Sequence, residues 1–205
     1  MTVGLLFASI TLAVLLQLGL GLALALWRRQ RDGRSSDPVP EPPVTAPAGA
    51  WPGWRDFRVV RRAFEDPLRT ICSFYLQPVD GGALPSYKPG QFLTFQLSLP
   101  AGSGATEPAG RSITRCYSLS DRPGLDSYRI SVKRAVPPAG RTDCPPGLSS
   151  SHLHDHVHEG DVLRVKAPGG HFHLDADSPG PVVLIGGGIG ITPMMSMLRW
   201  CLDEQ

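Results

Sequence analysis

The sequence predicts a mainly β protein. It expects a six-stranded antiparallel barrel with one short helix, preceded by a single transmembrane helix and followed by the first β-α unit of an incomplete α/β domain. Three observations carry this. An uncharged run opens the chain, short stretches of alternating branched and aromatic residues fill its middle, and "GPVVLIGGGIGITPMMSMLRWCL" supplies an apolar strand, a glycine-rich turn and a helical run.

The first element lies between Val3 and Trp27, where no residue is charged. As a helix it would measure about 37 Å at 1.5 Å per residue, against a hydrocarbon core of about 30 Å. Arg28, Arg29, Arg31 and Arg34 follow it directly. Positive charge flanking a span stays on the cytoplasmic side, so the expectation is a single pass through the inner (cytoplasmic) membrane with the body in the cytoplasm. A cleaved leader would carry its basic residues in front of the apolar run. Residues 28–53 form a basic and then proline-rich linker, "SSDPVPEPPVTAPAGAWP", with too little apolar bulk to bury.

Residues 54–178 make the barrel. In "QFLTFQLSL", Leu93, Phe95, Leu97 and Leu99 alternate with Thr94, Gln96 and Ser98, and in "YRISVKR" Tyr128, Ile130 and Val132 alternate with Arg129, Ser131 and Lys133. That period of two is the mark of a sheet with one buried face. "FRVVRRAF", "RTICSFYLQ", "ITRCYSLS" and "DVLRVKAP" bring the strands to six, and only "GLSSSHLHDHV" interrupts them with a short helix. In residues 179–205 the strand and glycine turn lead to a helix beginning at Thr192 and Pro193, as N-cap and first helical position. Bare amides at such a turn suit an anion, although a plain structural turn fits the spacing equally. The pattern departs from GxGxxG at Ile191 and contains no GK[ST].

Composition narrows the partners. With 20 basic and 18 acidic residues the formal charge is +2, and no basic stripe interleaves with aromatics, so nucleic acid is not expected. Cys72, Cys116, Cys144 and Cys201 form no CxxC pair, which argues against a zinc knuckle or a dense disulfide framework.

Four stretches in order, "RCYSLS", "RISVKR", "GLSSSHLHDHVHEGDVLRVKAPGGHF" and "GGGIGITPMMSM", resemble the ferredoxin-NADP reductase family, particularly the reductase half of flavohaemoglobins and of related oxygenase reductases. The resemblance runs from Trp54 onward. It implies that the barrel binds FAD, and that a following α/β domain, of which residues 179–205 are an early part, binds NAD(P)H.

By position, the resemblance places Arg115 at the FAD pyrophosphate, Tyr117 on the flavin ring and Ser118 near its reactive edge. Those residue types suit the tasks: a guanidinium forks onto phosphate oxygens, and a hydroxyl both donates and accepts. A strand that merely alternates Arg115 and Tyr117 on one face is the alternative. Phe92 stands where the family has an aromatic near the cofactor, with core packing as its other reading. Val132 and Lys133 approach the cofactor from "RISVKR", with a solvated lysine as the alternative. Gly147, Ser149 and Ser150 lie at the helix N-terminus that cradles the other side of the pyrophosphate. Gly187, Gly188 and Thr192 match the nicotinamide-nucleotide turn.

The resemblance also settles how the histidines are read. If Ser149 or Ser150 caps a helix, Leu153 and Val157 share its buried face. His152, His154, His156 and His158 then fall on the other sides, with no metal expected. His171 and His173 are expected on a short strand closing the barrel.

The implied activity is that of an NAD(P)H-dependent flavin oxidoreductase. It passes electrons from nicotinamide through FAD to an iron-sulfur, haem or other acceptor, an iron-sulfur cluster in a further C-terminal part being one option. No catalytic side chain is assigned. A non-catalytic membrane-tethered metal- or partner-binding module, or an inactive truncated fragment, are the other readings.

Overall fold

The computed structural model describes residues 49–99, 111–137, 139–140, 143–175, 177 and 180–203, with Gly19 in addition. The chain divides into two units, Met1–Pro43 and Val44–Gln205, and the sheet lies wholly in the second. The expected transmembrane run 3–27 and most of the linker lie outside the described residues. Among those described, no helix is long and apolar enough to cross a membrane.

Six strands form where the alternation placed them: β1 (Arg55–Phe64), β2 (Ile71–Pro78), β3 (Phe92–Leu99), β4 (Arg111–Ser118), β5 (Tyr128–Lys133) and β6 (Val162–Gly169). They pair antiparallel in the order β4-β3-β6-β1-β2-β5. The inward sides of β1, β2, β3, β5 and β6 bury Phe57, Phe74, Phe95, Ile130 and Val165 completely. Removing each such side chain from water favours folding by about 1.5–3 kcal/mol.

The expected closed barrel is not what the strands make. Edge strands β4 and β5 meet only just past the end of β4, through one bridge between Leu119 and Ile130 and a bond from the Ser120 amide to the Arg129 carbonyl at 2.8 Å. The sheet curls without a sixth ladder. β4 is occupied by β3 along its whole length, from Phe92 opposite Ser118 to Leu99 opposite Arg111. Residues 171–174, including His171 and His173, form no strand. The Leu174 amide bonds instead to the Pro89 carbonyl at 2.8 Å.

Helix α1 (Leu148–His156) crosses beside β5. Its cap is Gly147, not a serine. Ser149 and Ser150 lie inside the first turn, and the helix has no side-chain cap bond. Leu153 and Val157 are buried as expected, but so is His154, at 4% exposure. Its ring was expected on an outer side of the helix. The Val132 carbonyl receives its Nε2 at 2.8 Å, and that polar anchor offsets the cost of bringing an imidazole inside.

Helix α2 (Ile191–Asp203) follows a 3-10 turn at Gly188–Gly190. Thr192 sits in its first turn and donates its hydroxyl proton to the Ile189 carbonyl at 3.0 Å. The expected apolar strand before it does not form: among the described residues 181–187 make no strand pairing, and Val183 and Ile185 are 80% and 85% exposed. A strand buried on both faces needs neighbours to complete its hydrogen bonds, and among the described residues none lies beside this one.

Candidate functional site

β4 carries the centre of the site because its alternation puts Ile113, Arg115 and Tyr117 on the side facing the core, opposite Leu97, Phe95 and Leu93 of β3. Ile113 is buried and Tyr117 half-buried, while Arg115 between them is exposed. The Tyr117 ring rests edge-on against Phe95, with centroids 5.7 Å apart. Burial pushes its phenol upward, and the nearby Ser149 hydroxyl partly restores it. The first turn of α1 thus stands near the end of β4.

Arg115 donates to the neighbouring Thr114 carbonyl at 2.7 Å. Among the described residues no carboxylate pairs with it. Ser118 ends β4 opposite Phe92. The Phe92 ring lies against Gly170, where φ is +110° and a Cβ would come within 2.6 Å of the ring. Only glycine both takes that backbone conformation and leaves room for the aromatic.

The other wall is the start of α1. The Gly147 amide donates to the Ala135 carbonyl at 2.8 Å. The Ser150 hydroxyl accepts from the Ala135 amide at 3.1 Å and donates to the Gly147 carbonyl at 3.1 Å. Ser150 therefore fastens the loop after β5 to the helix, and both bonding directions of its hydroxyl are used. Ser149 is the serine near Tyr117. Ser151 Oγ and His152 Nδ1 are buried and lack a partner among the described residues. The first turn contains no acidic residue, which leaves the positive end of the helix dipole unopposed.

Of the other expected residues, Val132 is buried at 2% and acts through its carbonyl on His154, while Lys133 is exposed at the end of β5. The alternation in β5 is weaker than its sequence suggests, since Arg129 and Ser131 are buried along with Tyr128, Ile130 and Val132. Ser131 shares hydrogen bonds with Ser73 at 2.6 Å and Ser120 at 2.9 Å, so its hydroxyl is satisfied without water.

Gly187 and Gly188 are exposed, with Gly188 left-handed at φ +56°. Among the described residues no hydrogen bond joins the segment from Gly187 to Thr192 with Arg115, Tyr117 or α1. Phe92 and Ser118 face each other at the end of the β3–β4 pair, with Tyr117 and Arg115 further along β4, while Gly147, Ser149 and Ser150 open α1, Ser149 near Tyr117.

The histidines do not converge. His152 and His156 stack one turn apart with ring centroids 5.5 Å apart, His154 is inside, and His158 lies beyond the helix near Asp161. Among the described residues no group of three or more His, Cys, Asp or Glu is placed to hold a metal ion.

This donor set fits a dinucleotide with a planar ring. Among the described residues Arg115 has no carboxylate partner and the first turn of α1 has no acidic residue, both suited to a diphosphate, and a half-buried aromatic on the same strand suits a ring.

No family model matches the chain. It is 48% identical over 157 residues to a flavohemoprotein from Bacillus thuringiensis subsp. konkukian, an alignment that covers 77% of this chain and 36% of that protein. A flavohemoprotein from Bordetella pertussis is 47% identical over 152 residues, covering 74% and 34%. The chain spans about a third of the length of these curated relatives.

Among solved structures it resembles the flavohem-like FAD/NAD-binding domain of nitric oxide dioxygenase from Vibrio cholerae. The TM-score there is 0.59 at 36% identity, covering 73% of this chain and 57% of that one. Phthalate dioxygenase reductase gives a TM-score of 0.54 at 31% identity, covering 74% and 40%. The cytochrome b5 reductase domain of Ulva prolifera nitrate reductase, at 20% identity and a TM-score of 0.58, covers 74% of this chain and 58% of its own and shares the fold.

Proposed function

We propose, on the premise that this chain belongs in part to the ferredoxin-NADP reductase-like family of FAD-binding proteins, that its body is the FAD-holding part of an NAD(P)H-dependent oxidoreductase. The reading rests on one observation above the others. Arg115 and Tyr117 share one face of β4, and Ser149 in the first turn of α1 lies near Tyr117, which supports reading a cation, an aromatic and a helix N-terminus as one site.

Each residue then has a task. Arg115 and the amides that open α1 hold the pyrophosphate from two sides, Tyr117 covers the ring, and Ser118 offers a hydroxyl near its reactive edge. Gly147 and Ser150 keep the helix N-terminus at its distance from β4 by fastening it to Ala135. Phe92 closes the site on the side of the Gly169–Gly170 turn. FAD, when bound, supplies hydride acceptance from NAD(P)H and electron release to an iron-sulfur, haem or other acceptor. The Gly187–Thr192 turn is the part of the nicotinamide-nucleotide site that this chain carries.

The proposal also takes residues 3–27 as a single pass through the inner (cytoplasmic) membrane, with the FAD-holding body on the cytoplasmic side. Resistance of the full chain to alkaline extraction from membranes, lost when residues 1–34 are deleted, is the outcome expected. Release of the intact chain into the soluble fraction would contradict that part alone.

The experiment for the main reading is the identity of the cofactor that copurifies. Yellow protein releasing FAD is expected. Protein that carries FMN and rejects FAD would contradict the pyrophosphate roles of Arg115 and α1.

A further inference from the structure

β4 does not end in solvent. Its chain continues through Leu119 and Ser120, both held to β5, to Asp121. The Asp121 side chain is 10% exposed and carries charge on both sides. Oδ1 accepts from Arg199 of α2 at 2.8 Å, and Oδ2 lies 3.6 Å from Nη1 of Arg129, itself 9% exposed. Arg129 passes the alternation on, donating to Glu65 at 2.8 Å and to Ser73 at 3.3 Å. The row Glu65, Arg129, Asp121, Arg199 thus alternates in sign from the end of β1 across β5 to α2. A second ion pair, Arg122 with Asp203, lies beside it.

α2 also makes an apolar contact. Met197 is buried, and its Cε would lie 2.5 Å from a Cβ on Gly90. Apolar contact is non-directional and tolerates rotation or sliding of a helix. A nearly buried carboxylate is more directional: Asp121 Oδ1 meets the Arg199 guanidinium, which is 41% exposed, and a shift of the helix takes that partner away while Arg129 stays. The helix so held begins at the glycine turn, two turns before Arg199, and a helix transmits the position of one end to the other. At the other end of the link, Asp121 stands only three residues past Ser118.

We propose that Asp121 is a positioning residue: through Arg199 it fixes the register in which α2, the helix that opens at the glycine turn, docks on the chain just past the strand bearing Tyr117 and Ser118. The functional meaning rests on the FAD reading above, whereas the geometry does not. Asp121 and Arg129 complete each other within the sheet, and Arg199 is the group by which α2 is recognised.

The test uses the 205-residue chain. Cys116, exposed on the outer side of β4, and Cys201, on α2, carry spin labels in a Cys144→Ser background, with Cys72 buried. The distance distribution between the labels reads the register, hydrogen exchange of β1–β6 reads the fold, and FAD titration reads the cofactor site. Asp121→Asn and Arg199→Met should each broaden the distribution and raise exchange in Ile191–Asp203 about tenfold, with the sheet still protected. The double variant should go no further than either single one.

A narrow distribution in both single variants would overturn the proposal. Additive effects in the double variant would do the same, as would loss of protection throughout the sheet in Arg199→Met. Failure of the wild-type chain to take up FAD would count against the FAD reading and leave the register measurement intact.

Discussion

His154 shows how one residue can look like a ligand and serve as structure. Its Nε2 meets the Val132 carbonyl at 2.8 Å, its Nδ1 is buried without a partner among the described residues, and burial holds the ring below the usual imidazole range. Replacing His154 with Gln should cost about 1–3 kcal/mol by chemical denaturation, since the Val132 carbonyl loses a fitted partner. His158→Gln, at an exposed position, should stay within about 0.5 kcal/mol. Equal effects would mean that the ring of His154 is not anchored.

The direction of the pH effect follows from the same geometry. Unfolded, this imidazole titrates near pH 6.5, whereas the folded ring resists protonation. Stability is therefore fully present above about pH 6.5 and falls as the pH drops below it, because the unfolded state binds the proton first. The Gln variant should show a shallower loss between about pH 6.5 and 5. An identical slope would show that His154 titrates as it does in the unfolded chain. None of this was visible in the alternating histidines, because spacing cannot tell which ring finds a carbonyl across the fold.

At the scale of elements, α1 depends on Gly147 in a way that residue type alone does not reveal. A Cβ there would stand 2.6 Å from the Ala135 Cβ and 2.8 Å from Ser150 Oγ. Gly147→Ala should therefore destabilise by about 1–3 kcal/mol, the usual cost of overpacking, and should weaken FAD binding by moving the helix start. Unchanged melting and affinity would show that the loop after β5 yields freely. The sequence expected a serine cap because Ser is a common one, but Ser150 is already committed to Ala135 and Gly147. The strands were legible for the opposite reason. Alternation in "QFLTFQLSL" reports a buried face directly, and β3 buries Leu93, Phe95, Leu97 and Leu99. Closure of the sheet and the link between Asp121 and Arg199, 78 residues apart, depend on distant pairing that no local pattern encodes.

For the whole molecule, the described body carries the candidate FAD site on β4 and α1 and, apart from it, the glycine turn before α2. Among the described residues 181–187 make no strand pairing and leave Val183 and Ile185 in solvent, so a nucleotide would meet a glycine turn with none of the described strands beside it to hold ribose and adenine as in α/β domains. Dithionite should reduce FAD bound to the 205-residue chain, and NADH should do so slowly or not at all. Rapid bleaching by NADH would show that the segment from Gly187 to Thr192 suffices for a nicotinamide site. The central claim, that β4 and the start of α1 hold FAD, is tested most directly by equilibrium titration of FAD into the wild-type chain and Arg115→Ala side by side. Saturable binding of one FAD per chain is expected, weaker in the variant by about 1.5–3 kcal/mol, the range for a hydrogen bond to a charged group. Folded wild-type protein that takes up no FAD, or an Arg115→Ala variant that binds it equally well, would contradict the account.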